Sequence, residues 1–149
     1  MFYTSKSSFN LEVINYESPR GGPTLEDKNL LLTCLQLVDK NRRWETIAPI
    51  LHTWEVKHLI GWLSDILGSR DVPNKLSFSE PCLVIQLTEC SPQKDRFCFR
   101  FLLSYEATPP WWAMPLDDPY PLIIECNRTS IAEAIGHLSS QLALFPIRN

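Results

Sequence analysis

The chain has 149 residues, with 14 Lys and Arg against 17 Asp and Glu, so its formal net charge is −3. This balance disfavours a protein that binds the phosphate backbone of nucleic acids. The lack of an apolar run of about 18 residues argues against a membrane partner or a membrane-spanning helix. With 44% hydrophobic residues the composition is that of a globular protein, and we expect residues 1–149 to form a single domain.

The N-terminus and the cysteines suggest a compartment. Residues 1–6 lack a basic start followed by an apolar stretch, so we expect no secretion signal and a cytoplasmic location. The chain has five cysteines, an odd number, and no Cys-x-x-Cys pair. This pattern argues against a disulfide framework and against a zinc knuckle.

Strand patterns dominate the first fifty residues. Alternation of apolar residues predicts a strand over residues 9–16. The next predicted strand, residues 30–38, is apolar on both faces and should therefore be central. Turn residues at 39–41 lead into a return strand over residues 42–51, whose Pro49 favours a position at the edge of the sheet.

Two amphipathic helices are expected. Over residues 53–67, apolar residues recur every three or four positions, with Thr53 as a plausible N-cap. A second helix is predicted to begin at a capping box formed by Ser130 and Glu133 and to end at Pro146.

Four further strands are predicted between these helices, over residues 76–78, 82–88, 97–101 and 122–126. The proline-rich residues 107–121 should form an irregular loop. Short turns between strands favour antiparallel pairing, and both helices need an apolar surface to cover. The expected fold class is therefore α+β, with a mainly antiparallel curved sheet of about six to seven strands and two amphipathic helices packed on it.

Motifs for catalysis and cofactor binding are weak. The sequence has no glycine-rich phosphate loop and no G-x-S-x-G turn. Asp117 and Asp118 supply too few oxygens for a hard cation, which needs about six. We therefore expect no cofactor, no metal site and no enzymatic activity. One alternative is a small hydrolase that uses Cys98 or Cys126 with a distant histidine.

A second alternative is a small-ligand or regulatory module. Its apolar pocket would lie between the first helix and the sheet, and its lining would come from Trp44, Trp54 and Trp62.

Residues 101–127 carry the clearest indication of an interaction surface. This segment has four carboxylates and no Lys or Arg, so its formal charge is −4. Tryptophan and tyrosine are enriched at interface hot spots, and an acidic rim would favour a basic partner. Alternatively, the loop folds back and both tryptophans cap the end of the sheet. The candidate partner-binding residues are Trp111, Trp112, Asp117, Asp118, Tyr120 and Glu106.

Five motifs in series resemble one family. They are F-x-L-x-V-x-x-Y from residue 9, W-x-x-I-x-P-x-L from residue 44, T-W-E-V-K-x-L-x-x-W-L from residue 53, F-x-E-P-x-L from residue 78 and S-I-A-E-A-I from residue 130. This order is similar to that of the WapI-like immunity proteins, which neutralise the toxic tips of bacterial contact-dependent toxins. The resemblance implies a bacterial, non-enzymatic protein that binds a toxin domain, which we expect to be basic.

Overall fold

A computed structural model describes residues 1–115 and 117–149. Four strands come before the central helix: β1 (Phe2–Tyr3), β2 (Ser7–Tyr16), β3 (Leu30–Asp39) and β4 (Arg42–His52). Four follow it: β5 (Lys75–Ser77), β6 (Leu83–Ser91), β7 (Arg96–Leu103) and β8 (Tyr120–Cys126). The helices are α1 (Leu25–Asn29), α2 (Thr53–Leu67) and α3 (Arg128–Leu144).

The expected α+β class with antiparallel pairing is confirmed, but the strands divide into two sheets. The first has the order β1-β2-β3-β4 and the second the order β5-β6-β7-β8. Helix α2 separates β4 from β5 in the chain, and β5 pairs with β6 instead of extending the first sheet. The expectation of a single sheet was therefore wrong, because alternation marks a strand without identifying its neighbours. No helix within the described residues is long and apolar enough to cross a bilayer.

The two sheets share one core. Alternation along β7 turns Phe97, Phe99 and Phe101 inward, and none of the three is exposed to solvent. From the first sheet, Phe9 stacks on Phe101 with ring centroids 4.2 Å apart, and Phe2 lies 5.2 Å from Phe99. Each such phenylalanine contributes about 1.5–3 kcal/mol through burial, so these contacts join the sheets.

Both long helices start at different caps from those expected. The N-cap of α2 is His52, whose backbone N–H donates to the Glu55 carboxylate. The N-cap of α3 is Asn127, whose Oδ1 accepts from the Ser130 backbone at 2.9 Å. Asn127 accepts the hydrogen bond of the free Ser130 backbone amide and so caps the helix. Ser130 therefore lies inside the first turn of α3 and is not its N-cap.

Helix α3 also covers an open edge of β2. Strand β1 pairs with β2 only as far as Phe9, which leaves later backbone groups of β2 without a strand partner on that side. The Gln141 side chain, which is buried, donates to the Leu11 carbonyl at 3.0 Å and accepts from the Val13 amide. One amide side chain thus replaces a neighbouring strand.

Candidate partner-binding surface

Trp111, Trp112 and Tyr120 form a group of three rings, which we call the aromatic cluster. Both indoles meet the Tyr120 ring edge to face, with centroid distances of 5.8 and 5.3 Å. Tyr120 is buried at the start of β8, whereas the two tryptophans are half-buried. Edge-to-face pairs contribute about 0.5–1.5 kcal/mol each beyond burial, so Tyr120 is the platform that orients both indoles.

Hydrogen bonds hold the loop that carries the two tryptophans. The Trp112 backbone donates to the Pro109 carbonyl at 3.0 Å, and its indole Nε1 donates to the Asp118 carbonyl at 2.8 Å. The Asp118 amide donates to the Pro115 carbonyl at 2.9 Å. Prolines restrict the backbone further. Loop residues held by such hydrogen bonds lose little conformational entropy when they bind a partner.

The aromatic cluster rests against the turn between β3 and β4, residues 39–42, which we call the hairpin tip. The Tyr120 hydroxyl donates a hydrogen bond to the Asp39 carboxylate. Burial raises the pKa of Tyr120 to about 12, and the bond to Asp39 acts in the same direction. The hydroxyl therefore stays protonated and links the second sheet to the first.

Basic side chains of the hairpin tip lie beside the aromatic cluster. The Arg42 guanidinium lies over the Trp111 ring, 5.5 Å from its centroid, and both Lys40 and Arg42 are exposed. An open cleft of about 480 Å³ separates the tip from the cluster and is lined by Asp39, Lys40, Asn41, Arg42, Trp111, Trp112 and Tyr120. The acidic segment is thus joined here by cations from another part of the chain.

The other candidate residues have separate positions. Asp117 and Asp118 are exposed on the same loop, and only the Asp118 carbonyl contacts an indole. Glu106 is exposed on a single 3-10 turn, Tyr105–Ala107, and does not line the cleft. The loop expected over residues 107–121 includes residue 116, which lies outside the described residues.

Sequence reasoning missed the hairpin tip as part of this surface. Its turn residues were recognised, but Asp39 lies 81 positions before Tyr120 in the chain. Only the packing of one sheet on the other places them together. Lys40 and Arg42 place two basic residues at this turn, but nothing in the sequence connects them with the tryptophans.

The thiols that could have served a hydrolase do not form an activated site. Burial raises the pKa of Cys126 to about 12 and also raises the pKa of Cys98, whose sulfur lies 3.7 Å from a Glu89 oxygen. His52 contacts Glu55 and His137 contacts the backbone of β2. No hydrogen bond between described residues joins His52, His58 or His137 to either thiol. Within residues 1–115 and 117–149 there is also no group of three or more metal-binding side chains.

The three tryptophans of the expected ligand pocket lie in different surroundings. The indole of Trp62 donates to the Pro73 carbonyl at 2.8 Å and packs on Phe99. Trp54 stacks on His52 with centroids 4.7 Å apart, and Trp44 packs against the core. The structure does not bring these side chains around one cavity.

Comparison with known proteins identifies a family. The sequence model of the Immunity protein WapI-like family matches residues 1–146, which include every helix and strand described above. No curated protein and no solved structure matches the chain. The resemblance found in the five motifs is therefore confirmed over nearly the whole length.

Proposed function

The chain belongs to the WapI-like immunity protein family, and from this we propose that it neutralises a bacterial toxin by direct binding. It would cover the active or substrate-binding surface of the toxin without performing chemistry of its own. The raised pKa values of Cys98 and Cys126 support this reading, because they leave the candidate nucleophiles as thiols.

The aromatic cluster is the observation that carries the proposed site. Two adjacent half-buried indoles, both oriented by one buried tyrosine, present rigid apolar area, while the Trp111 Nε1 is buried and the Trp112 Nε1 already donates to the Asp118 carbonyl. Residues of this kind supply most of the binding energy in many interfaces. We propose Trp111 and Trp112 as the anchors and Tyr120 as their support, with Asp117, Asp118 and Glu106 as surrounding polar contacts.

The charges around the cluster suggest the chemistry of the toxin. Exposed carboxylates at Asp117, Asp118 and Glu106 favour a basic toxin domain, which they would attract before contact. Arg42 and Lys40, in contrast, line the cleft beside the indoles. We therefore propose a mainly basic toxin domain that places a carboxylate opposite the hairpin tip.

The proposed setting is the cytoplasm of a bacterium. All five cysteines are free, and four of them are buried. Thiols that remain unpaired are typical of reducing compartments.

The experiment first searches the reading frames beside the gene for this chain for a toxin domain, and then purifies that domain in a catalytically inactive form. Isothermal titration calorimetry should show a one-to-one complex, and co-expression with the active domain should protect cells from it. A toxin domain from an unrelated locus serves as the control and should give neither result. Failure of the adjacent domain to bind and of the chain to protect would overturn the proposal.

A further inference from the structure

Tyr105 has an unusual backbone conformation. Its φ is 51°, in the left-handed region, where a bulky residue is a genuine outlier. Glycine or asparagine adopts this conformation at lower cost. Tyr105 therefore adopts a backbone conformation that is unfavourable for a tyrosine.

The other non-glycine residues with positive φ, among those described, have local explanations. Lys40 lies in the two-residue turn between β3 and β4, and Ser69 follows the end of α2. Asp95 is a residue type that tolerates this region, and its side chain also accepts from the Arg128 amide at 2.8 Å. Each of these conformations belongs to a turn or a cap that the fold requires.

Tyr105 also lies in a turn, in which the Thr108 amide donates to the Tyr105 carbonyl at 3.0 Å, but its side chain has no compensating contact within the described residues. Its ring is 50% exposed, its hydroxyl donates no hydrogen bond to them, and no ring among the aromatic pairs contacts it. Strain that is not offset inside a fold points to a functional constraint. The tyrosine ring is therefore available for a contact outside the chain.

The turn presents this ring on a rigid support. Ser104 donates to the Cys82 carbonyl at 2.9 Å, and the Ala107 amide donates to the Ser104 carbonyl at 3.0 Å. Ala107 is fully buried, and the turn packs against β4. The same loop continues to Trp111. The guanidinium of Arg42, which is the first residue of β4, lies over the Trp111 indole. The turn that carries Tyr105 and the aromatic cluster thus both contact β4.

The surroundings of the turn are negatively charged. Glu106 is the next residue and is exposed. Burial, and then the charges of Glu106, Glu80 and Glu55, raise the pKa of Cys82 to about 11. An exposed aromatic face next to a carboxylate suits a guanidinium or ammonium group, which gains both a cation–π contact and an ion pair.

We propose that Tyr105 is a second anchor for the toxin and receives one of its cationic side chains, an arginine or a lysine. This inference rests on the proposed function. The contact surface for the toxin then extends from the aromatic cluster along β4 to Tyr105, where the toxin places a cationic side chain.

The test compares substitutions at this position by unfolding midpoint and by calorimetric Kd for the inactive toxin domain encoded beside the gene. Tyr105→Gly and Tyr105→Asn should leave the unfolding midpoint unchanged or raised, because they relieve the backbone, and should raise the Kd about tenfold. Tyr105→Phe keeps the aromatic face and should bind like the wild type. Tyr105→Leu keeps apolar area without that face and should bind as weakly as the glycine variant.

Tyr3→Ala is the matched control, because Tyr3 is 49% exposed on β1 and has ordinary strand geometry. It should not change the Kd. A lower unfolding midpoint for both Tyr105→Gly and Tyr105→Asn, an unchanged Kd for either, or full binding by Tyr105→Leu would each overturn the inference while the proposed function stands. A wild-type chain that fails to bind the toxin domain would overturn both.

Discussion

The Glu55 carboxylate accepts a hydrogen bond from the backbone amide of Ser79 at 2.8 Å, across 24 positions of sequence. Its other oxygen accepts from the His52 amide at 2.9 Å and contacts His52 Nδ1 at 2.7 Å. Glu55 belongs to the T-W-E-V-K motif and Ser79 to the F-x-E-P-x-L motif. The two family motifs therefore meet at one buried carboxylate, which explains why they identify a fold more firmly than an activity.

Replacing Glu55 should destabilise the protein strongly. Glu55→Ala leaves two backbone amides without their acceptor at a buried site, and we expect a loss of about 2–4 kcal/mol in the free energy of unfolding. Urea unfolding followed by circular dichroism measures this loss. The control is Asp65→Ala on the same helix, since Asp65 forms only an exposed ion pair with Arg70 and should cost less than about 1 kcal/mol. Equal losses would contradict the structural role of Glu55.

Most of the fold follows from local pattern. The predicted bounds of β3, β4 and α2 agree with the structure to within one residue, because long apolar periodicities leave few alternatives. Strand β1, with two residues, and α1, with five, are too short to produce a periodic signal. The division into two sheets depends on which strands pair after α2, and alternation does not encode pairing.

Less of the candidate site follows from the sequence. The residue types at Trp111 and Trp112 indicate an interface, since tryptophan is enriched at hot spots, and the structure leaves both indoles half-exposed although they also pack against the core. Their support by Tyr120 and their contact with Arg42 arise only when the second sheet packs on the hairpin tip. The left-handed φ of Tyr105 is also invisible in a sequence, because nothing in the neighbouring residues demands it.

The cysteines should differ sharply in reactivity. Burial raises the pKa of Cys34, Cys82, Cys98 and Cys126, whereas Cys90 is exposed. Since the thiolate is the reactive form, iodoacetamide at pH 8 should label one site in the native protein, as measured by mass spectrometry.

The same reagent in denaturant should label five sites, and Cys90→Ser should remove native labelling. Faster reaction of Cys98 or Cys126 than of Cys90 would contradict the non-enzymatic reading, because it would reveal an activated thiolate.

The burial of Tyr120, together with its hydrogen bond to Asp39, should make stability depend on alkaline pH. The pKa of Tyr120 is raised from 10 to about 12 in the folded state. Above pH 10 the unfolded chain loses this proton while the folded chain retains it, so the folded state binds more protons and stability falls as pH rises towards 12. Tyr120→Phe keeps the ring, and at pH 7 it should cost about 1–2 kcal/mol through loss of the bond.

The measurement is urea unfolding of both proteins at pH 8, 9, 10 and 11. Each protein gives a curve of unfolding free energy against pH. The cysteines titrate in both proteins, so subtracting one curve from the other removes their contribution to the pH dependence. The difference in stability between wild type and variant should shrink above pH 10. Parallel curves would show that the hydroxyl is not held in its protonated form by the fold.

Removing both indoles of the aromatic cluster should separate binding from folding. Trp111→Ala with Trp112→Ala deletes two half-buried side chains that pack against the core and on Tyr120, which should lower the free energy of unfolding, while Tyr120 still bonds to Asp39. We expect the double variant to retain the circular dichroism spectrum of the wild type and to bind the adjacent toxin domain at least about 30-fold more weakly. The control is Trp54→Ala, because Trp54 is also a half-buried indole but stacks on His52, so it should lower stability and leave the Kd unchanged. If the double variant unfolds, the two tryptophans belong to the core and the toxin contacts another surface.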